Sequence, residues 1–236
     1  ELFIFTGDYF ERGLENAHVA KFLMRIMKQP NVILLEGNHE LYMFQYANGE
    51  EIRCREFRNV TAVEFDNSDI NKKDLRVLYR KLRQQVAYQY GNKKVMVTHG
   101  GLSTFPYELT KVPLQQVIRG VGDYNTDIDA IFSENVMKLE QELNDGVEHY
   151  QVHGHRNLMY VDTISDRSIN LEGGVDNGEF LRIAVLSKDG WNDVEIQNTV
   201  FNPKYKRKVI NEGTTVEEMV DILRHNHLVK ERDNGN

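Results

Sequence analysis

Four short segments constrain this chain more than anything else in it: Gly7-Asp8-Tyr9-Phe10-Glu11-Arg12-Gly13, Gly37-Asn38-His39-Glu40, Thr98-His99-Gly100-Gly101 and His153-Gly154-His155-Arg156. Each sets an oxygen or imidazole ligand beside a glycine. Three of them follow an apolar run of strand length, at 2–5, 32–35 and 95–97. Continuous apolar runs read as strands buried on both faces, which an α/β scaffold provides. Rigid strands that end in ligand-bearing loops are one way such a scaffold builds a metal site.

The stretches between support that scaffold. Over 14–27, Val19, Phe22, Leu23, Ile26 and Met27 recur at helical spacing, and Pro30 stops the run. Over 73–86, Leu75, Leu78, Tyr79 and Leu82 share a helical face, and two more helices are expected at 114–118 and 131–143. Short strand-like pieces follow at 150–153, 158–161, 168–171, 180–186 and 194–200, with Lys188-Asp189-Gly190 as a turn. The expectation is a layered α/β domain over 1–200, a sandwich of two mixed sheets flanked by helices. Residues 201–236 read as its appendage: a basic stretch with Lys204, Lys206, Arg207 and Lys208, then an amphipathic helix at 216–223 capped by Thr214 or Thr215.

Composition narrows the function. No apolar run approaches the ~20 residues that span a bilayer, so no membrane partner is expected. The single cysteine, Cys54, leaves no internal disulfide, fits a reducing, cytoplasmic setting, and reads as inert. A net charge of −7 argues against bulk nucleic-acid binding.

The motif residues divide by chemistry. Asp8 has two oxygens and a full charge, so it suits a bridge between two cations. Asn38 offers a neutral amide oxygen. Imidazoles such as His99 suit manganese, iron or zinc better than calcium. His153 and His155, two residues apart on one strand, are both available. His39 titrates near neutral pH, as a general acid must, and the Arg12 guanidinium can grip two phosphate oxygens. Singly, each has a bland reading: a turn for Asp8, a helix cap for Asn38, a buried backbone-bonded ring for His99. Together, four accidents would have to fall in this order.

The motifs, over about 1–175, resemble the calcineurin-like metallophosphoesterases, and among them the bacterial and phage branch of serine/threonine protein phosphatases. The resemblance implies the metallophosphoesterase fold and hydrolysis of phosphate monoesters by a metal-activated hydroxide. Two divalent ions are implied, manganese first, with iron or zinc as alternatives. The ligands implied are Asp8, Asn38, His99 and, because the family pattern is strand then Gly-His, His155, with His153 behind it. His39 becomes the leaving-group acid, oriented by Glu11 where relatives carry aspartate, and Arg12 the phosphate clamp. A second clamp comes from between the last two motifs, where Arg119 is the one arginine; Arg53, Arg58 and Arg156 are alternatives. Asn157 stands where many relatives carry a further histidine, which points to the phosphatase branch.

A phosphoprotein is the first expected substrate. A nucleotide or RNA-end phosphatase, a diadenosine tetraphosphate hydrolase and an inactive partner-binding domain are the alternatives. Loops at 59–72 and 104–112 are expected to choose among substrates. Relatives also carry an Asp-x-His motif on a strand before the first motif. The seven residues ahead of Asp8 contain none, so that strand and its two ligands are expected to lie outside this chain.

Overall fold

A computed structural model describes residues 1–124, 126–156 and 162–200. The chain opens with β1 (Phe3–Phe5), crosses through helix α1 (Asn16–Ile26) and returns as β2 (Val32–Leu34), which pairs parallel to β1 with Phe3 opposite Val32. Helix α2 (Glu40–Asn48) follows, then a π-helical turn (Phe57–Thr61) running into α3 (Ala62–Asp66), then α4 (Lys72–Tyr79). These helices bury Phe10, Leu23, Met43, Phe57, Phe65, Leu75 and Leu78 in one cluster against β1 and β2. Each fully buried side chain of this size contributes about 1.5–3 kcal/mol.

The next strands are β3 (Gln85–Tyr90), β4 (Lys93–Thr98), β5 (Glu148–His153), β6 (Ile164–Ser165) and β7 (Ser168–Asn170). They form a five-stranded mixed sheet in the order β3-β4-β5-β7-β6. Helices α5 (Leu114–Arg119) and α6 (Ile128–Leu143) lie in the β4–β5 connection. The last described elements, β8 (Phe180–Ser187) and β9 (Gly190–Gln197), form an antiparallel hairpin. A second cluster joins the layers: Ile4, Ile33 and Leu35 from the first pair, Val95, Val97, Tyr150, Val152 and Ile169 from the central sheet, and Ala184, Leu186 and Trp191 from the hairpin. The hairpin turns alternate residues inward, as the two-residue period of a strand requires. The layered α/β arrangement with a helix-flanked mixed sheet is the expected one.

Some boundaries differ from the sequence expectation. The helix expected over 73–86 ends at Tyr79, and Gln85–Tyr90 is a strand. Arg83 leaves the helix to donate its N–H to the Leu34 carbonyl at 2.9 Å, and β3 then pairs with β4 along its whole length. Here sheet pairing overrides a helical pattern carried mostly by charged residues. β9 starts at Gly190, earlier than the expected 194, because the turn puts Ser187 directly opposite Gly190. Helix α6 starts at Ile128, where the Asp127 side chain accepts the Ala130 N–H at 3.0 Å. The expected strand at 158–161, Asn157 and the expected segment 201–236 lie outside the described residues.

Candidate metal centre and active site

All four motifs sit just past the C-terminal ends of strands, β1, β2, β4 and β5. Parallel pairing of β1 with β2 and of β4 with β5 turns the four loops to one side. The loops then lock together. Gly7 and Gly37 meet backbone to backbone, and a Cβ on Gly37 would collide with the Asp8 carboxylate. Gly154 donates its N–H to the His99 carbonyl at 2.9 Å. The His99 Nδ1 approaches the Thr6 carbonyl at 2.7 Å, which joins the two layers. Of the five non-glycine residues with positive φ among the described residues, four are here: Asp8, Glu11, Arg12 and His155. Backbone held in this costly region marks loops whose shape is fixed by their surroundings.

The expected metal ligands converge. Asp8 Oδ2 lies 3.2 Å from His99 Nε2 and 3.8 Å from His155 Nδ1. One ligand atom from each of Asp8, His99 and His155 falls within 4.8 Å of the others, and Asn38 Oδ1 is 3.3 Å from His99 Nε2. The His99–Thr6 contact matters chemically: with Nδ1–H given to a carbonyl, Nε2 presents its lone pair to the cluster. His155 is likewise held by the Tyr124 hydroxyl, 3.0 Å from its Nε2. Two imidazoles, a carboxylate and an amide oxygen form a donor set that fits manganese, iron or zinc.

The electrostatics agree with a cation site. Burial pushes the Asp8 carboxyl up, but the His99 charge and the bonds from both histidines hold it well below the carboxylate range. Burial pushes His99 down, and Asp8 outweighs it, so that imidazole is raised. Burial and the His99 charge leave His155 lowered.

The residues expected as acid and orienting carboxylate are also brought together. His39 Nδ1 stands 2.7 Å from Glu11 Oε2, and its Nε2 is 3.9 Å from Asp8 Oδ2. Glutamate in place of aspartate therefore reaches the ring. Burial pushes His39 down, but the Glu11 hydrogen bond and the Asp8 and Glu11 charges raise it. Tyr42 stands edge-on to the ring, with centroids 5.8 Å apart. Cys54, read as inert, is partly buried and points its thiol at the same Glu11 oxygen at 3.5 Å.

The arginines divide. Arg12 donates from Nη1 to Asp176 Oδ2, while its backbone N–H goes to Glu56 Oε1 at 3.1 Å. Arg119 is exposed at the end of α5, close enough for its charge to act on Tyr42. Arg53 and Arg58 are exposed. Arg156 is only 3% exposed and donates to the carbonyls of Arg119, Gly122 and Asp123. It braces the loop that carries Arg119 and Tyr124. His153 lies behind the ligands as expected, fully buried, with Nε2 2.8 Å from Asp129 Oδ1.

Sequence reasoning missed Glu40. This fully buried carboxylate accepts N–H groups from Asp8 (2.9 Å), Tyr9 (2.9 Å) and Gly37 (2.7 Å), tying the first two motif loops to helix α2. Its position after Asn38-His39, at a helix start, was the available signal. Asp176 was also missed; only the turn signal of Gly173, Gly174 and Gly178 marks its segment. The expected substrate loop at 59–72 is instead largely helical, with Thr61, Ala62 and Phe65 buried in the core. Residues of 104–112 line a cavity of about 400 Å³ together with Leu102, Gln116 and Val121.

Fold and site define a class: an α/β phosphoesterase whose strand-end loops gather ligands for divalent metal. The calcineurin-like phosphoesterase family matches residues 1–187, and the chain belongs to that family. The hypothetical protein PH1004 from Pyrococcus horikoshii OT3 is similar in fold, with a TM-score of 0.54 at 10% identity, covering 98% of this chain and 82% of that one. A solved structure described as "a putative diadenosine tetraphosphatase" is similar with a TM-score of 0.52 at 18% identity, covering 84% of this chain and 81% of that one. No curated protein sequence matches the chain. Among the described residues, no helix is long and apolar enough to cross a membrane.

Proposed function

We propose that the chain is a phosphomonoesterase of the serine/threonine protein phosphatase-like branch, acting on phosphoserine or phosphothreonine in a cytoplasmic protein substrate. The observation that carries this reading is the His39–Glu11 pair at 2.7 Å beside Asp8. A ring held at one nitrogen by a carboxylate presents the other to the leaving group. An alkoxide leaving group needs a proton in the transition state, and a raised imidazole supplies it near neutral pH. Arg12 grips the phosphoryl oxygens, and Arg119, across Tyr42, is the second clamp. Asp8, Asn38, His99 and His155 would hold one divalent ion, and Asp8 would share a second, whose remaining ligands are expected on the preceding Asp-x-His strand. The ions would supply charge neutralisation and an activated water. Manganese is the metal we assign, with iron and zinc fitting the same donors.

A second reading, hydrolysis of dinucleoside tetraphosphates, is favoured by the structural neighbour that carries that description. The deciding experiment gives the protein, expressed from its full reading frame with manganese, a panel of p-nitrophenyl phosphate, a phosphopeptide, an RNA 2′,3′-cyclic phosphate and a dinucleoside tetraphosphate. Hydrolysis of the first two, abolished by chelation, is the expected result. A clear preference for the tetraphosphate moves the assignment to the second reading. Tight metal binding with no turnover of any substrate identifies a binding module.

A further inference from the structure

The clamp arginine meets a carboxylate from the far end of the chain. Arg12 Nη1 pairs with Asp176 Oδ2 across 164 positions of sequence. Asp176 sits in a single 3-10 turn, Val175–Asn177, closed at each end by a glycine in the left-handed region, Gly174 and Gly178. The turn is fixed from several sides. Asn177 donates to the other Asp176 oxygen at 2.8 Å, and its side chain is nearly buried. Asn198, just past β9, donates to the Val175 carbonyl at 2.8 Å, and Gln197 donates to that of Gly178 at 2.8 Å. Such a turn holds the carboxylate in one place rather than letting it follow Arg12.

Arg12 is held at its other end as well. Its backbone has φ 52°, and its N–H goes to Glu56. The Arg12 side chain is 40% exposed, and among the described residues only Nη1 of its guanidinium has a hydrogen-bond partner. Arg12 lies near the reacting centre, since its charge acts on His39. We infer that Asp176 is a positioning residue for phosphate recognition: it fixes the guanidinium plane through Nη1 and leaves the remaining N–H groups facing the phosphoryl group. A planar fork that is already oriented loses less freedom when it binds two oxygens. This inference rests on the reading of Arg12 as the phosphate clamp.

The geometry also admits the opposite role, a carboxylate that competes with phosphate for Arg12, and the two differ in sign. The test measures inorganic phosphate binding by calorimetry on the manganese-loaded protein, together with KM and kcat for p-nitrophenyl phosphate. The proteins compared are wild type, Asp176→Ala, Asp176→Asn, Arg12→Ala and the double variant Arg12→Ala/Asp176→Ala. Expected is phosphate binding about tenfold weaker, and KM raised in proportion, for either Asp176 variant, with the melting temperature unchanged. In the Arg12→Ala background, removal of Asp176 has no further effect, because it acts through that arginine. An Asp176 effect of equal size without Arg12 overturns the inference in favour of a structural turn. Tighter phosphate binding by Asp176→Ala overturns it in favour of a competing carboxylate. In both of those cases Arg12→Ala still weakens phosphate, so the clamp reading survives. If Arg12→Ala leaves phosphate binding unchanged, the clamp reading itself falls, and the inference with it.

Discussion

In the proposed mechanism a single carboxylate, Glu11, orients the acid. Glu11 is 9% exposed and stands 2.7 Å from the His39 ring nitrogen. The His39 imidazole is raised against the downward push of burial. An acid must be protonated to act, so turnover should fall as pH rises through that raised value. Glu11→Gln keeps the shape and removes the charge. We expect the alkaline limb of the pH–rate profile to move to lower pH, and kcat on an alkyl phosphate to drop about 10–100-fold. p-Nitrophenyl phosphate, whose phenolate leaves without a proton, should lose far less. Equal losses on both substrates would remove His39 from the acid role. At this scale the sequence was informative where a residue carries its own chemistry beside a glycine, as Asp8, Asn38, His99, His155, His39 and Glu11 do. Tyr124 and Asp176 were illegible because their meaning lies in a partner brought up by the fold.

Helix α2 shows what one element contributes. Its first residue, Glu40, lies at the positive end of the helix and collects three N–H groups from the loops of Asp8, Tyr9 and Gly37. Removing the acceptor strands three donors, each costing about 1–3 kcal/mol when buried. Burial and the neighbouring Asp8 charge nevertheless push the Glu40 carboxyl up to about 7 against those donors. The sign of the linkage follows. A carboxyl raised in the folded state from 4.5 contributes stability that is full below 4.5 and is lost as pH rises through about 7. A cation at Asp8 cancels the smaller, electrostatic part of that push and leaves the part due to burial. Urea titrations of the metal-free protein should therefore show Glu40 costing stability of order 1–3 kcal/mol between pH 5 and 8. Glu40→Gln should lack that slope, and manganese should reduce it in the wild type. A slope shared by the variant would assign the titration to another group. Periodicity found α1 but not α2, because the latter has no clean apolar stripe: Glu40 and Gln45 are among its buried residues. β5 was foreseen only over its last four residues for a related reason: buried His149, Gln151 and His153 break the apolar run that reveals β4.

Across the whole molecule, the site lies between two layers, joined by the His99–Thr6 contact, while Gly154 ties the His155 loop to the His99 loop within the central sheet. What keeps the second layer in place behind His155 is a polar knot rather than an apolar core. Asp129 on α6 takes His153 of β5 at 2.8 Å, Ser168 at the start of β7, and Asn170 at its end at 3.0 Å. Asn170 also donates to the Arg156 carbonyl at 3.0 Å, one residue past His155. The sequence could place His153 behind the ligand but could not supply Asp129, which stands 24 residues away on a helix whose visible pattern was apolar. Burial raises the Asp129 carboxyl, and the bond and charge of His153, with Ser168 and Asn170, outweigh it, so the group is lowered. A lowered carboxyl contributes stability that is present above its unfolded value and lost as pH falls through the folded one. Breaking one side of a buried pair typically costs about 3–5 kcal/mol. Asp129→Ala should therefore lose stability of that size in urea at pH 7, and the gap to wild type should narrow as pH drops below about 4. Because the knot ends on the backbone beside His155, the folded variant should also bind manganese more weakly, while Lys138→Ala, on the exposed face of the same helix, should change neither. If Asp129→Ala weakens folding but leaves manganese affinity at the wild-type value, the knot holds the layers together without shaping the metal centre.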